Sequence, residues 1–249
     1  MSRRPVLVVS PHYDDALLSA FHLATAPEAT VLTVCAAGPS PAVVTEWDTR
    51  CGFADSERAM TARALEDDAA FDGLDARREH LDLVEAQYLS GPRVEADADR
   101  LAAFVGDWLD QHGGIVAVPV GAGRPLTALH WLRFHIPVRG LGMPGGAAPH
   151  PDHIWVTDTI LERFSEAPLL LYEDLPYAWA RRGDRRAAQL AQRVQRPVSR
   201  ADTPVSGRHQ AERVAAYRSQ VPGIVAGWVR DLATVLPPVE TTWFLAPTA

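Results

Sequence analysis

Four short apolar runs, separated by stretches of helix length, constrain this chain most. Val6-Leu7-Val8-Val9, Thr30 to Ala36 (TVLTVCA), Ile115 to Val120 (IVAVPV) and Leu169-Leu170-Leu171-Tyr172 lack polar alternation. That is the profile of strands buried on both faces, as in a parallel sheet. Asp14 to Ala24 places Leu17, Leu18, Phe21 and Ala24 on one helical face, and 54–73 reads as a charged helix. Val94 to Gln111 and Pro151 to Phe164 read as further helices, His80 to Leu83 as a weaker strand. Gly207 to Leu236 reads as helical with a break at Pro222, and Thr241 to Leu245 as a late strand. Strands alternating with helices imply βαβ units, hence an α/β fold whose mostly parallel sheet carries helices on both faces. At 249 residues a compact chain buries roughly 70–75% of its unfolded surface. No repeat or composition break divides it, so the expectation is a single domain over 1–249.

Composition removes several function classes. The formal net charge is −7, which argues against a nucleic-acid partner, since such binding rests on clustered positive charge. All 24 basic residues are Arg; the chain has no Lys and no Asn, a pattern that codon bias accounts for. It still excludes a Schiff-base lysine, a P-loop lysine and a kinase lysine. Cys35 and Cys51 fit no zinc-finger spacing and read as thiols of a reducing compartment. The first apolar stretch is too short for a signal peptide, and no run approaches a membrane span. The expected location is the cytoplasm, with no membrane partner.

The chemistry-bearing residues fall where strands end. Ser10-Pro11-His12-Tyr13-Asp14-Asp15 leaves the first strand and opens a helix; Pro149-His150-Pro151-Asp152-His153 opens another helix beyond the 115–120 strand. In open parallel sheets, ligands bind beyond the carboxyl ends of the strands. His12, Asp15 and His153 offer two imidazoles and one carboxylate, the pattern of a catalytic zinc site with an open position for water. Asp14 is then free to act as base. Taken singly, each piece has a plainer account: an N-cap with a solvated neighbour, or a capped turn. A receiver-domain acidic pair needs a later Lys, which this chain lacks. A non-haem iron triad built on His12 and Asp14 fits on paper, but such sites typically sit in an all-β fold.

The sequence Ser-Pro-His-Tyr-Asp-Asp (10–15) resembles the Pro-His-Pro-Asp-Asp signature of the PIG-L/LmbE-like N-acetylglucosaminyl deacetylases, with Tyr13 in place of Pro. His150-Pro151-Asp152-His153 matches the second signature of that family. Trp47-Asp48, Arg63-x-x-Glu66-Asp67, Gln87-Tyr88, Tyr172-Glu173-Asp174-Leu175-Pro176-Tyr177 and Ala216 to Gln220 extend the resemblance over nearly the whole chain. It implies a Rossmann-like domain, one zinc ion per chain, and hydrolysis of an N-acetyl amide on a small amino-sugar metabolite. His12, Asp15 and His153 would be the ligands and Asp14 the general base. His150 would stabilise the oxyanion and protonate the amine, and Asp152 would orient a neighbouring His. An amidase acting on a non-sugar N-acyl metabolite, or a metal-containing carbohydrate-binding protein without turnover, carries the same residues.

Further residues are expected to touch substrate. Tyr13 either packs beside the mouth or offers its hydroxyl. Asp48 follows the second strand, where it could meet sugar hydroxyls. Arg63 either pairs with Glu66 one turn away or, as the resemblance implies, faces the pocket. Residues 124–149, with Trp131 and Arg133, form a connection long enough to be a lid or substrate loop leading into His150. The other account of this segment is a structural excursion or a homo-oligomer contact. The Arg181 to Arg186 run reads as solvated surface.

Overall fold

The structure, a computed structural model, describes residues 4–122, 149–177, 183–224, 229 and 231–247. Seven strands form one sheet: β1 (Val6–Ser10), β2 (Ala29–Thr33), β3 (Arg77–His80), β4 (Ile115–Pro119), β5 (Leu169–Tyr172), β6 (Val198–Pro204) and β7 (Val239–Leu245). Their order is β3-β2-β1-β4-β5-β7-β6. The first five are parallel, and β7 runs antiparallel between β5 and β6.

Strand periodicity sorts the core into two layers. Leu7 and Val9 of β1 pack with Leu101, Val105, Ile160 and Leu190, whereas Val8 packs with Leu17, Phe21, Met60 and Val214. One face is therefore covered by α5 (Glu95–His112), α6 (Pro151–Arg163) and α7 (Gly183–Arg193). The other is covered by α1 (Asp15–Ser19), α2 (Phe21–Ala24), α4 (Ser56–Phe71) and α8 (Gly207–Val214). The short α9 (Val221–Ile224) packs on this second face through Val221 and Ile224, and α3 (Glu46–Arg50) adds to neither core layer. The mostly parallel sheet with helices on both faces is what forms. Each fully buried Leu or Ile of these layers contributes about 1.5–3 kcal/mol.

Boundaries differ where side chains are polar. The strand expected at His80 to Leu83 is Arg77–His80, an edge strand; beyond it the chain keeps only isolated bridges, Cys35 to Asp82 and Ala37 to Val84. The helix expected over Asp14 to Ala24 breaks at Ala20, and the late strand begins at Val239. β6 reads Val-Ser-Arg-Ala-Asp-Thr-Pro and is almost wholly exposed, so no apolar pattern marks it. No helix among the described residues is long and apolar enough to cross a membrane.

The order β2-β1-β4 makes the gap between β1 and β4 the point where the chain's winding reverses: α1 and α2 follow β1 on one face, and α5 precedes β4 on the other. A crevice opens there at the carboxyl ends of the strands. The first His/Asp cluster leaves the sheet at that point, and the second, at the start of α6, lies against it.

Candidate metal and catalytic site

The turn after β1 is set by Ser10. Its hydroxyl donates to His12 O (2.6 Å) and accepts from Ala16 N–H (3.0 Å), which folds 10–16 into a tight hook. Asp15 Oδ2 accepts the His12 backbone N–H at 2.8 Å and lies 3.1 Å from His12 Nδ1. Asp14 stands at the N-cap of α1 without making a side-chain cap. Among the described residues its carboxylate accepts no side-chain or backbone hydrogen bond from another element, although it is buried. Burial and the neighbouring Asp15 push Asp14 up to about 6, against the opposing pull of Arg63 and His12.

The second cluster opens α6. His150 is its N-cap, with Nδ1 accepting from Asp152 N–H at 3.3 Å, and Pro151 occupies the first turn. Thr157 donates to Pro119 O (2.5 Å) and to His153 O (2.8 Å), tying the helix to the end of β4. Gly121 keeps the outgoing loop close to that helix: its φ is +61°, and a Cβ there would meet Ile154 Cα at 3.5 Å.

The two clusters meet. The His12 and His150 ring centroids are 4.6 Å apart, His12 and His153 5.3 Å, and ligand nitrogens of the three lie within 4.8 Å of one another. His153 Nε2 lies 3.2 Å from Asp15 Oδ2, yet it is buried without a properly aligned hydrogen bond. On the far side of each ring stands another buried carboxylate: Asp152 Oδ2 is 3.1 Å from His12 Nε2, and Asp174 Oδ2 is 3.0 Å from His153 Nδ1. With the ring protons on those far nitrogens, the lone pairs of His12 Nδ1 and His153 Nε2 converge on Asp15. In that tautomer acceptors face an acceptor, an arrangement suited to a cation, and carboxylates behind imidazoles favour the tautomer that ligates.

Charge leads to the same conclusion. Asp14, Asp15, Glu85, Asp152 and Asp174 are buried here, against the guanidiniums of Arg63 and Arg93. Burial opposes a charge on either ring, yet Glu85 and Asp15 hold His12 well above the ordinary imidazole range, and Asp15 and Asp174 hold His153 at about 9. The carboxylates demand positive charge between them. These donors suit a divalent ion with mixed nitrogen and oxygen ligands. His150 differs. Burial, then His12 and His153, push it well below the usual range, and its N-cap bond, with Nδ1 as acceptor, puts the ring proton of the neutral imidazole on Nε2.

The remaining expected residues are placed as follows. Tyr13 is buried, and its hydroxyl donates to Ala36 O at 3.2 Å. Asp48 accepts from the Thr45 backbone N–H (3.3 Å) in a capping box, and also from Thr45 Oγ1–H (2.8 Å) and the Tyr88 hydroxyl (2.7 Å). Arg63 is buried and pairs with Glu85, while Glu66 accepts from Ser219 N–H and Oγ–H at 2.8 and 2.7 Å. The Arg63–Glu66 pairing expected along the helix therefore does not form. Trp131, Arg133 and the expected lid over 124–149 lie outside the described residues, apart from Pro149 and its approach to His150; so do Arg181 and Arg182.

Sequence reasoning gave no role to Asp174, Tyr177, Glu85 or Arg93. Asp174 follows β5 by two residues, the same strand-end signal that singled out His12. Tyr177 packs its ring 5.0 Å from that of His153 and 5.8 Å from that of His150. Glu85 and Arg93 lie in irregular chain with no local pattern.

No family model matches the sequence, and a search of curated proteins finds no match. Solved structures do share the fold. The zinc-inhibited form of the teicoplanin deacetylase Orf2 is 22% identical, with a TM-score of 0.65 and 98% of each chain covered. A deacetylase–teicoplanin complex is 22% identical, with a TM-score of 0.63 over 98% of this chain and 99% of that one. The A40926 pseudoaglycone deacetylase Dbv21 is 23% identical, with a TM-score of 0.61 over 100% of both chains. This chain has the α/β fold of those proteins.

Proposed function

We propose that the chain is a metal-dependent hydrolase that removes an N-acetyl group from a small amino-sugar-containing biosynthetic metabolite. The observation that carries this reading is the convergence of His12 Nδ1 and His153 Nε2 on Asp15, with Asp152 and Asp174 behind the two rings and Asp14 beside them. His12, Asp15 and His153 would hold one divalent ion, zinc by the chemistry of the donor set. When bound, the ion supplies Lewis acidity to the amide carbonyl and to water.

The chain's own groups do the rest. Asp14, ionised near neutral pH and hydrogen-bonded to no other side chain among the described residues, takes the proton of the attacking water. The His150 Nε2–H, held by its N-cap, donates to the oxygen that gains charge as the carbonyl becomes tetrahedral. This role uses a neutral imidazole and not an imidazolium. Collapse breaks the C–N bond, and the proton held by Asp14 leaves with the amine, so acetate and a free amine result. The shared fold with deacetylases of teicoplanin and of the A40926 pseudoaglycone supports a biosynthetic substrate of this kind. The amino-sugar part of the reading rests on the two His/Asp motifs.

The test is acetate release from a panel of N-acetylated amino sugars and sugar conjugates, set against non-sugar N-acetyl amines, with one equivalent of zinc per chain. Turnover confined to the sugar compounds is expected. Turnover confined to the non-sugar amides would replace the substrate assignment, and no acetate from any compound would favour a binding protein.

A further inference from the structure

Asp152 and Asp174 stand behind the two candidate ligand rings in the same way, but they are secured differently. Asp174 accepts from a backbone group, Ala122 N–H at 3.2 Å. Asp152 is gripped by a guanidinium. Arg93 Nε donates to Asp152 Oδ1 at 3.2 Å, and Nη2 donates to the same oxygen and to Val84 O (2.7 Å). The other carboxylate oxygen accepts from Ala86 N–H (3.0 Å) and faces His12 Nε2. The Arg93 guanidinium also lies 4.5 Å from the ring centroid of Trp155, two residues past His153 on α6. Its side chain is almost wholly buried.

We propose that Arg93 is a positioning residue for the metal site: it fixes Asp152, which in turn holds the His12 ring with its Nδ1 lone pair toward Asp15. The inference rests on the reading of His12, Asp15 and His153 as ligands. The planar guanidinium suits the task because it can donate from two nitrogens while stacking on an aromatic face, which an ammonium cannot do. Without it, Asp152 loses the cation that compensates its burial, and the His12 ring loses its fixed partner. Such outer partners of metal ligands are typically worth about 10–100-fold in affinity.

The experiment is calorimetric titration of zinc into chelator-treated wild type, Arg93→Met and Arg93→Lys, with thermal melts of the metal-free proteins alongside. About 10–100-fold weaker zinc binding is expected for Arg93→Met. Arg93→Lys should fall between the two, since it keeps the charge and loses the fork. A purely structural role would lower the metal-free melting temperature and leave the zinc affinity of the folded protein at the wild-type value; that result in either variant overturns the proposal. If Arg93→Met does not fold, Arg93→Lys decides. Failure of the wild type to take up one zinc per chain would instead refute the ligand reading, and that is seen without any Arg93 variant.

Discussion

The Asp174 carboxylate lies 3.0 Å from His153 Nδ1, while the buried Nε2 of the same ring faces Asp15 at 3.2 Å. With a metal ion on Nε2, as proposed, Asp174 would keep the remaining ring proton of His153 on Nδ1. Removing the acceptor in Asp174→Ala should weaken metal binding by about 10–100-fold, and Asp174→Asn, which keeps an acceptor oxygen, should lose less. Metal titration checks the order; equal affinity for all three proteins would sink the role given to Asp174.

Asp14 makes no helix cap, and the proposed ligand set leaves it out. Asp14→Asn should bind the metal as the wild type does and lower kcat by about 10²–10⁴-fold, the usual worth of a general base. Near-normal kcat with metal loaded would show that another group takes the proton.

Arg63 and Glu85 form a buried ion pair next to the site. Arg63→Met strands the Glu85 charge and should cost about 3–5 kcal/mol in denaturant unfolding. Adding Glu85→Gln to that variant should restore part of the loss, because the stranded charge is gone. A single-variant loss no larger than that of an exposed pair would mean Glu85 is solvated.

Burial, and then the adjacent Asp174, push Glu173 up to about 7. The folded chain thus keeps a proton that the unfolded chain releases near its ordinary value of 4.5. The sign follows: this contribution to stability is fully present below that value and is lost as pH rises through about 7. Glu173→Gln should therefore match the wild type near pH ~4 and exceed it near pH ~8 in urea midpoints. A gap between the two proteins that does not change with pH would refute it.

How much of this was legible in the sequence varies with the kind of residue. The parallel strands were readable because burial on both faces leaves unbroken apolar runs such as Val6 to Val9. β3 and β6 are edge strands with polar side chains, so periodicity misplaced one and missed the other. His12, Asp14, Asp15, Asp152 and His153 stand out in the sequence because they cluster at strand-to-helix turns, and the fold brings them together. Arg93 and Glu85 act through contacts 59 and 22 residues away in sequence, with Asp152 and Arg63, and no local pattern encodes such partners. Helix spacing offers Arg63 the partner Glu66, and the resemblance turns it toward the pocket; tertiary burial next to Glu85 took precedence over the exposed helical pairing.

The claim that this is a metal-dependent deacetylase site is tested most directly by acetate release from one preparation, assayed before chelation, after chelation, and after reloading with one equivalent of zinc per chain. Loss of turnover on chelation and its return on reloading is the predicted result. Turnover that persists undiminished in the metal-free protein would contradict it.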